Sequence, residues 1–328
     1  MHQGLDVAKG LSAIAAMCII GIAPAHAQQD QPYPSQQIKV LVGFGPGSTA
    51  DVLARLVAKH AETKFGRPVI VENRPGNSSM IAAEQVAKAA RDGHTLFMGT
   101  VAQTLVPVRK RMDFKLDRDM APVALLAVVP NLLAAHPSLG VKTVQELLAI
   151  AKTKPDTLTF GTSGAGTASH LAAELFNQRA GTRLVVVHYQ GGSNSVLVDL
   201  LAGRLNLAFN VAATMAPHVD KGDLIGLGVA QPARTKLLPN VPTMAEQGLA
   251  GFDAGVWIGL LAPPGTPAAI AEQLAATATE AVKSDAVLKV IDAQGMDALG
   301  GTPAEFAAFI AQDIAKWTKV VTSAGLYE

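Results

Sequence analysis

Cysteine is almost absent. The 328-residue chain has one, Cys18, and it lies in an N-terminal stretch that reads as an export signal. The rest of the chain then carries no thiol, which excludes disulfides, thiolate metal sites and cysteine nucleophiles. Aromatic residues make up only 5% of the chain and charged residues only 16%. The 27 lysines and arginines face 26 acids, so no basic surplus exists to attract nucleic acid. Past the N-terminal stretch there is no long uncharged apolar run of the kind that spans a bilayer.

What is abundant is small and apolar, 49% hydrophobic with 30 glycines, enough for two modest α/β domains or one large one. The chain opens with Lys9, an apolar run from Leu11 to Ala23, and Ala25-His26-Ala27. That order of basic start, short apolar run and small-x-small site predicts a cleavable signal peptide over 1–27 and a secreted protein. Met17 directly before Cys18 argues against lipid attachment there.

From Gln37 onward, β-rich runs alternate with helical stretches. Ile38–Val42, Pro68–Val71 and Thr95–Met98 read as strands, with helices from about Thr49 and up to Val86 between them. The middle repeats the pattern, with strands at Val123–Val129, Leu158–Phe160, Leu184–Val187, Leu205–Phe209 and Leu224–Val229. A strand at Val256–Leu261 and helices opening at Thr266-Pro267 and Thr302-Pro303 complete the chain. The alternation predicts an α/β protein with parallel strands flanked by helices. Periodicity alone leaves open whether one long sheet or two lobes result.

Two strand–glycine turn–helix junctions carry the chemistry. One runs Gly43-Phe44-Gly45-Pro46-Gly47-Ser48-Thr49-Ala50-Asp51, the other Gly161-Thr162-Ser163-Gly164-Ala165-Gly166-Thr167-Ala168-Ser169. Glycine lets backbone amides approach a ligand, and a helix start offers unpaired N–H donors and the positive end of its dipole. Ser48, Thr49, Ser163 and Thr167 add hydroxyls. Such a pair of turns suits a small carboxylate. Asp51 has two readings: an acid complementing the helix dipole, or a group orienting a ligand hydroxyl, amine or water.

Enzyme signatures come close and fall short. Gly43-x-Gly45-x-x-Ser48, with Glu72 beyond, approaches a dinucleotide fingerprint but has serine for its third glycine. Gly161–Thr167 resembles a P-loop without its lysine. Gly161-Thr162-Ser163-Gly164-Ala165 misses a nucleophile elbow by its last residue. A secreted α/β hydrolase, with His170 or His188 as base, and a nucleotide-dependent oxidoreductase therefore stand as the alternatives. No histidine sits in a helical metal motif, and neither metal nor cofactor is expected.

In order along the chain, several motifs resemble the tripartite tricarboxylate transporter substrate-binding proteins, the Bug family. They are Pro46-Gly47-Ser48-Thr49-Ala50-Asp51, Val71-Glu72-Asn73-Arg74-Pro75-Gly76, Asp92-Gly93-His94-Thr95-Leu96, Gly161–Leu171, Tyr189-Gln190-Gly191-Gly192, Val241–Gly248 and Leu261–Pro267. The resemblance implies a two-lobed periplasmic-binding-protein fold, type II-like, each lobe a mostly parallel sheet flanked by helices. It implies a non-enzymatic periplasmic protein, acting as a monomer, that closes on a di- or tricarboxylate, amino acid or aromatic acid. Delivery to membrane transporter subunits or a sensor kinase follows from the same resemblance. Carried over by position, Phe44, Gly45, Gly47, Ser48, Thr49 and Asp51 form one half of the clamp. Ser163, Gly164, Ala165, Gly166 and Thr167 form the other, with Tyr189 and Asn210 at strand ends. Lobe 1 is expected over 35–122 and 232–328 and lobe 2 over 123–231, with hinges near 121–125 and 229–233. Ser48 stands where the family pattern has a second glycine, Asn77-Ser78-Ser79 replaces the usual Ala-Gly-Gly, and Gly43 and Gly45 stand where proline often occurs.

Overall fold

The structure, a computed structural model, describes residues 33–104, 113–165, 167–189 and 192–325. The signal peptide expected over 1–27, and Gly166 of the second turn, lie outside the described residues.

The first strands and helices follow the sequence pattern closely. β1 (Ile38–Val42), α1 (Thr49–Phe65), β2 (Val69–Asn73), α2 (Met80–Ala87) and β3 (Thr95–Thr100) alternate in order. Helix α1 begins where Ser48 Oγ accepts the Asp51 amide and ends at Gly66, whose φ of 63° turns the chain out of the helix. A short α3 (Leu116–Asp119) then leads to β4 (Ala121–Val129) and β5 (Asn131–Ala135). Next come α4 (Val144–Thr153), β6 (Thr159–Thr162), α5 (Ala168–Ala180), β7 (Val185–His188), α6 (Gly192–Leu201), β8 (Leu207–Val211), α7 (Ala212–Lys221) and β9 (Ile225–Val229). The chain finishes with β10 (Val256–Ala262), α8 (Ala268–Lys283), α9 (Asp285–Ala293), β11 (Asp297–Ala298) and α10 (Pro303–Ser323).

Two sheets result. The first has six strands in the order β11-β4-β10-β3-β1-β2, and the second has five in the order β7-β6-β8-β5-β9. Both are mixed, with β1 to β4 sharing one direction in the first sheet and β6 to β9 sharing one in the second, as the expectation of mostly parallel sheets has it. β1 runs parallel to β2 and β3, but β10 is antiparallel to β3 and β4. Likewise β6 is parallel to β7 and β8, whereas β5 is antiparallel to β8 and β9. β5 and β10 are the strands reached by passing between sheets. They enter without the crossover helix that parallel pairing requires, so they lie antiparallel to their neighbours.

The passage points also differ from the sequence expectation. β4, grouped above with the middle run, pairs with β10 along its length, from Val129 opposite Val256 to Ala121 opposite Ala262. It belongs to the first sheet, and the chain passes over at Pro130. After β9 the chain does not leave at once. Val229 donates its amide to Pro242 O at 2.9 Å, and Met244 donates to Val229 O at 2.8 Å. The return to the first sheet comes only after Ala254. Asn131, Ala230 and Ala254 are tied where these passes meet: Ala230 N donates to Asn131 O at 2.8 Å and Ala254 N to Ala230 O at 2.9 Å. The Asn131 amide closes the group on Ala254 O at 2.7 Å.

α10 fastens the two halves from outside. Its capping box, Thr302 with Glu305, satisfies amides at the helix start. Its buried face carries Phe306, Ile310 and Trp317 and packs against β4 and α5. Each large apolar side chain so buried contributes about 1.5–3 kcal/mol. Asp313 on the same face accepts the Trp257 indole N–H at 2.8 Å.

Candidate ligand-binding site

A cavity of about 250 Å³ opens between elements of the two sheets. From the first sheet it is walled by Phe44, Ser48, Thr49 and Ala50 of the β1–α1 turn, Thr100 to Ala102 after β3, and Val256 and Ile258 of β10. From the second come Ser163, the α5 start Thr167-Ala168-Ser169, Ser193 of α6, and Asn210-Val211 of β8. Val129 and Asn131, on either side of the first passage, complete it together with Ser78. The parallel strands β1, β3, β6 and β8 all point their C-terminal ends at this space, the usual place for ligands in α/β sheets. A second void, about 20 Å³, is enclosed by aliphatic residues beneath α1 and α8 and has room only for water.

The first turn is held from behind. Gly47, at φ 80°, presents its amide to Asp51 Oδ2 at 2.9 Å. Arg55 grips both Asp51 oxygens, Nε to Oδ2 at 3.0 Å and Nη2 to Oδ1 at 2.9 Å. Asn73 donates to Asp51 Oδ1 at 2.7 Å and to Phe44 O at 3.0 Å. Burial alone would raise the Asp51 carboxyl, but the bonds from Arg55, Gly47 and Asn73 outweigh it and hold the group below the ordinary aspartate range. The carboxylate is only 2% exposed and is absent from the cavity wall. Beyond its two sequence readings, the structure shows Asp51 bound to Gly47, Arg55 and Asn73, contacts that fix the turn facing the cavity.

Three hydroxyls brace the second turn. Ser163 N donates to Ser169 Oγ at 2.9 Å, and the two serine hydroxyls meet at 2.9 Å. Thr167 Oγ1 donates to Gly164 O at 2.7 Å and caps α5 by accepting the His170 amide. Thr167 and Ser169 are 3.1 Å apart. The α5 start is thereby locked in place with its first residues at the cavity wall. At both α1 and α5 the leading amides have no partner within the helix, so hydrogen-bond donors and dipole ends of one sign face a shared space.

Of the residues expected to bind ligand, Phe44, Ser48, Thr49, Ser163, Thr167 and Asn210 meet around this cavity. Gly45, Gly47, Asp51, Gly164, Ala165 and Tyr189 are not in its wall. For Gly47 and Gly164, the positive φ of 80° and 128° accounts for the glycine: each shapes the turn. Tyr189 stands outside the wall with its hydroxyl turned to α6. Its hydroxyl donates to Asp199 Oδ2 at 2.6 Å, on α6, and burial with that carboxylate pushes the phenol up to about 12.

Sequence reasoning missed Ser78, Thr100, Asn131, Ser169 and Ser193. Thr100 stands at the end of a parallel strand, a position that could have flagged it. Asn131 and Ser193 have no local signature, because chain topology brings them in.

The residues that the enzyme alternatives relied on are engaged in local contacts. Glu72, placed for a ribose hydroxyl, is paired with Lys39 at 3.3 Å and Arg74 at 3.1 Å. His188 bonds Thr162 Oγ1 at 2.7 Å, and its ring lies edge-on to that of His170, 4.5 Å between centroids. His170 in turn stands 3.6 Å from Glu174. The Ser163 hydroxyl is engaged by Ser169. Among the described residues no group of histidines, cysteines and acids is arranged to hold a metal ion, and no helix is long and apolar enough to cross a membrane.

Two mixed sheets flanked by helices, with a cleft where their strand ends meet, define a two-lobed periplasmic-binding-protein fold. The family follows from the sequence itself. The model of the tripartite tricarboxylate transporter family receptor matches residues 53–326, and the chain belongs to that family, a receptor family and not an enzyme class. BugT of Bordetella pertussis is 33% identical over 317 residues, covering 94% of this chain and 97% of BugT. An adipate-bound protein of R. palustris is 34% identical with a TM-score of 0.78, covering 89% of this chain and 98% of that one. MatC from Rhodopseudomonas palustris with bound malate is 30% identical with a TM-score of 0.75, covering 88% and 100%.

Proposed function

We propose that the protein is a periplasmic receptor that captures a small carboxylate in the cleft between its sheets. The ligand is then delivered to the membrane subunits of a tripartite tricarboxylate transporter or to a sensor. The supporting observation is that Ser48-Thr49-Ala50 and Thr167-Ala168-Ser169, the starts of two helices from different sheets, wall one cavity. A carboxylate there accepts backbone and hydroxyl hydrogen bonds from both halves at once, so it stabilises a closed arrangement over an open one. The adipate and malate bound by the two R. palustris proteins support the same ligand class.

The lobes of this reading follow the sheets. Residues from Tyr33 to Val129 and from about Gly255 onward form one, and Asn131 to Ala254 the other, with the hinge at the tied group Asn131, Ala230 and Ala254. Export by a cleaved segment over 1–27 and action as a monomer belong to the same proposal.

The test is thermal unfolding of the purified mature protein against a panel of small mono- and dicarboxylates. A ligand at 100 times its dissociation constant adds about 2.7 kcal/mol of stability, which moves the melting temperature of a chain this size by several degrees. A panel that never moves it, together with no co-purified acid found by mass spectrometry, would defeat the proposal.

A further inference from the structure

Among the described residues four that are not glycine have a positive φ, and three of them are consecutive: Asn77 at 47°, Ser78 at 50° and Ser79 at 73°. Asparagine visits this left-handed conformation now and then. Serine does so at a cost, because its β-carbon crowds the following carbonyl. Such strain persists where the surroundings force it, and it gathers at ligand sites. Here the run is held at both ends. Upstream, Asn73 at the end of β2 is bonded to Phe44 O and Asp51. Downstream, α2 buries Met80, Ala82, Ala83 and Val86. From behind, Ser79 Oγ fills the space that a side chain on Gly43 would need. The middle residue, Ser78, is thereby placed in the cavity wall, beside the turn after β3 whose Thr100, Val101 and Ala102 line the same space.

From this placement we infer that Ser78 is a specificity-determining residue. Its hydroxyl reads the part of the ligand beyond the clamped carboxylate, and the left-handed run is the device that holds it there. The inference rests on the carboxylate reading above and deepens it, since Ser78 belongs to neither of the two helix starts that hold the carboxylate. A hydroxyl both donates and accepts, so it suits a ligand hydroxyl or a second carboxylate. The acids favoured are those with a polar group at the far end.

Paired acids that differ only in that group test it. Isothermal titration would compare adipate with hexanoate, malate with butyrate, and 4-hydroxyphenylacetate with phenylacetate. The proteins are the parent, Ser78→Ala, Ser78→Gly and Asn77→Gly. In the pairs that bind, the parent should prefer the polar member. Ser78→Ala and Ser78→Gly should each cut that preference about tenfold, the worth of one hydrogen bond, and leave the other member's affinity unchanged. Ser78→Gly should melt no lower than the parent, because glycine accepts the left-handed backbone. Asn77 is exposed and outside the wall, so Asn77→Gly makes the same backbone change and should keep the preference. A parent without the preference, Ser78 variants that retain it, or an equal loss in Asn77→Gly overturns the inference and leaves the carboxylate reading standing. Silence from all six acids removes the carboxylate reading itself and this inference with it.

Discussion

Ser79 offers a sharp test of the packing behind the first turn. It is 1% exposed, its hydroxyl has no hydrogen-bond partner among the described residues, and its φ is 73°. Asn77 and Ser78 before it are also left-handed, at 47° and 50°. A Cβ placed on Gly43 would fall 1.7 Å from Ser79 Oγ, so these two positions occupy one space. Two costs sit on this one side chain. Leaving a buried hydroxyl unpaired costs about 1–3 kcal/mol, and a left-handed conformation costs a non-glycine residue about 1–2 kcal/mol. Ser79→Ala removes the first cost and keeps the second, so it should raise stability by about 1 kcal/mol. Ser79→Gly removes both, less the roughly 0.5–1 kcal/mol that glycine's freedom costs on folding. It should therefore equal or exceed Ser79→Ala. Differential scanning calorimetry should show both variants melting about 2–4 °C higher. If Ser79→Ala instead melts several degrees lower, the hydroxyl is satisfied in solution and the reasoning fails.

Two further predictions concern the residues behind the turns. Asp51→Asn should cost about 2 kcal/mol in a urea titration, the value of charged hydrogen bonds partly discounted because Arg55 is half exposed; an unchanged midpoint would mean the network is idle. Burial and then the neighbouring His170 hold His188 below the ordinary imidazole value, so around that value the unfolded chain binds more protons than the folded one. Stability should be complete above about pH 6.5 and decline as the pH falls below it. Asp51, also depressed, should add a second loss lower, in the carboxylate range. Melting temperatures from pH 7.5 to 5 in steps of about half a unit test the first decline, which His188→Asn should flatten.

Much of the fold was legible because each element had a local cause. The strand at Ile38–Val42, the cap at Ser48 and the Thr302–Glu305 box all act within a few residues of themselves. β4 was misplaced for the opposite reason. Its run Ala-Pro-Val-Ala-Leu-Leu-Ala-Val-Val announces a buried strand, but a period of two is silent about which sheet the strand joins. Prolines stand at both ends of the run, Pro122 and Pro130, so a missing amide could not tell a passage before β4 from one after it. The site divides the same way. The glycine turns could be found from sequence, whereas Asn131 and Ser193 reach the cavity through pairings made far along the chain. Asp51 could be found but not interpreted, since its role depends on Arg55 and Asn73 approaching from one helix turn away and from the neighbouring strand.

With no charged side chain among the described residues of the wall, the signature of this site is a pair of glycine turns and not a set of charged residues. When backbone amides and helix starts hold the anion, the holding power belongs to the fold. A substitution at one hydroxyl of the clamp removes one donor and leaves the field in place, so single changes at Ser48 or Thr167 should weaken binding modestly. On the proposed reading, selectivity falls to the remaining wall, which holds Phe44, Val101, Val129 and Ile258 as its apolar members and Ser78, Thr100 and Asn131 as its polar ones. Relatives sharing the turns can therefore differ in their acids without altering the clamp. Among the described wall residues, Asn131 also belongs to the tied group beside the two passages between the sheets, its side-chain amide donating to Ala254 O.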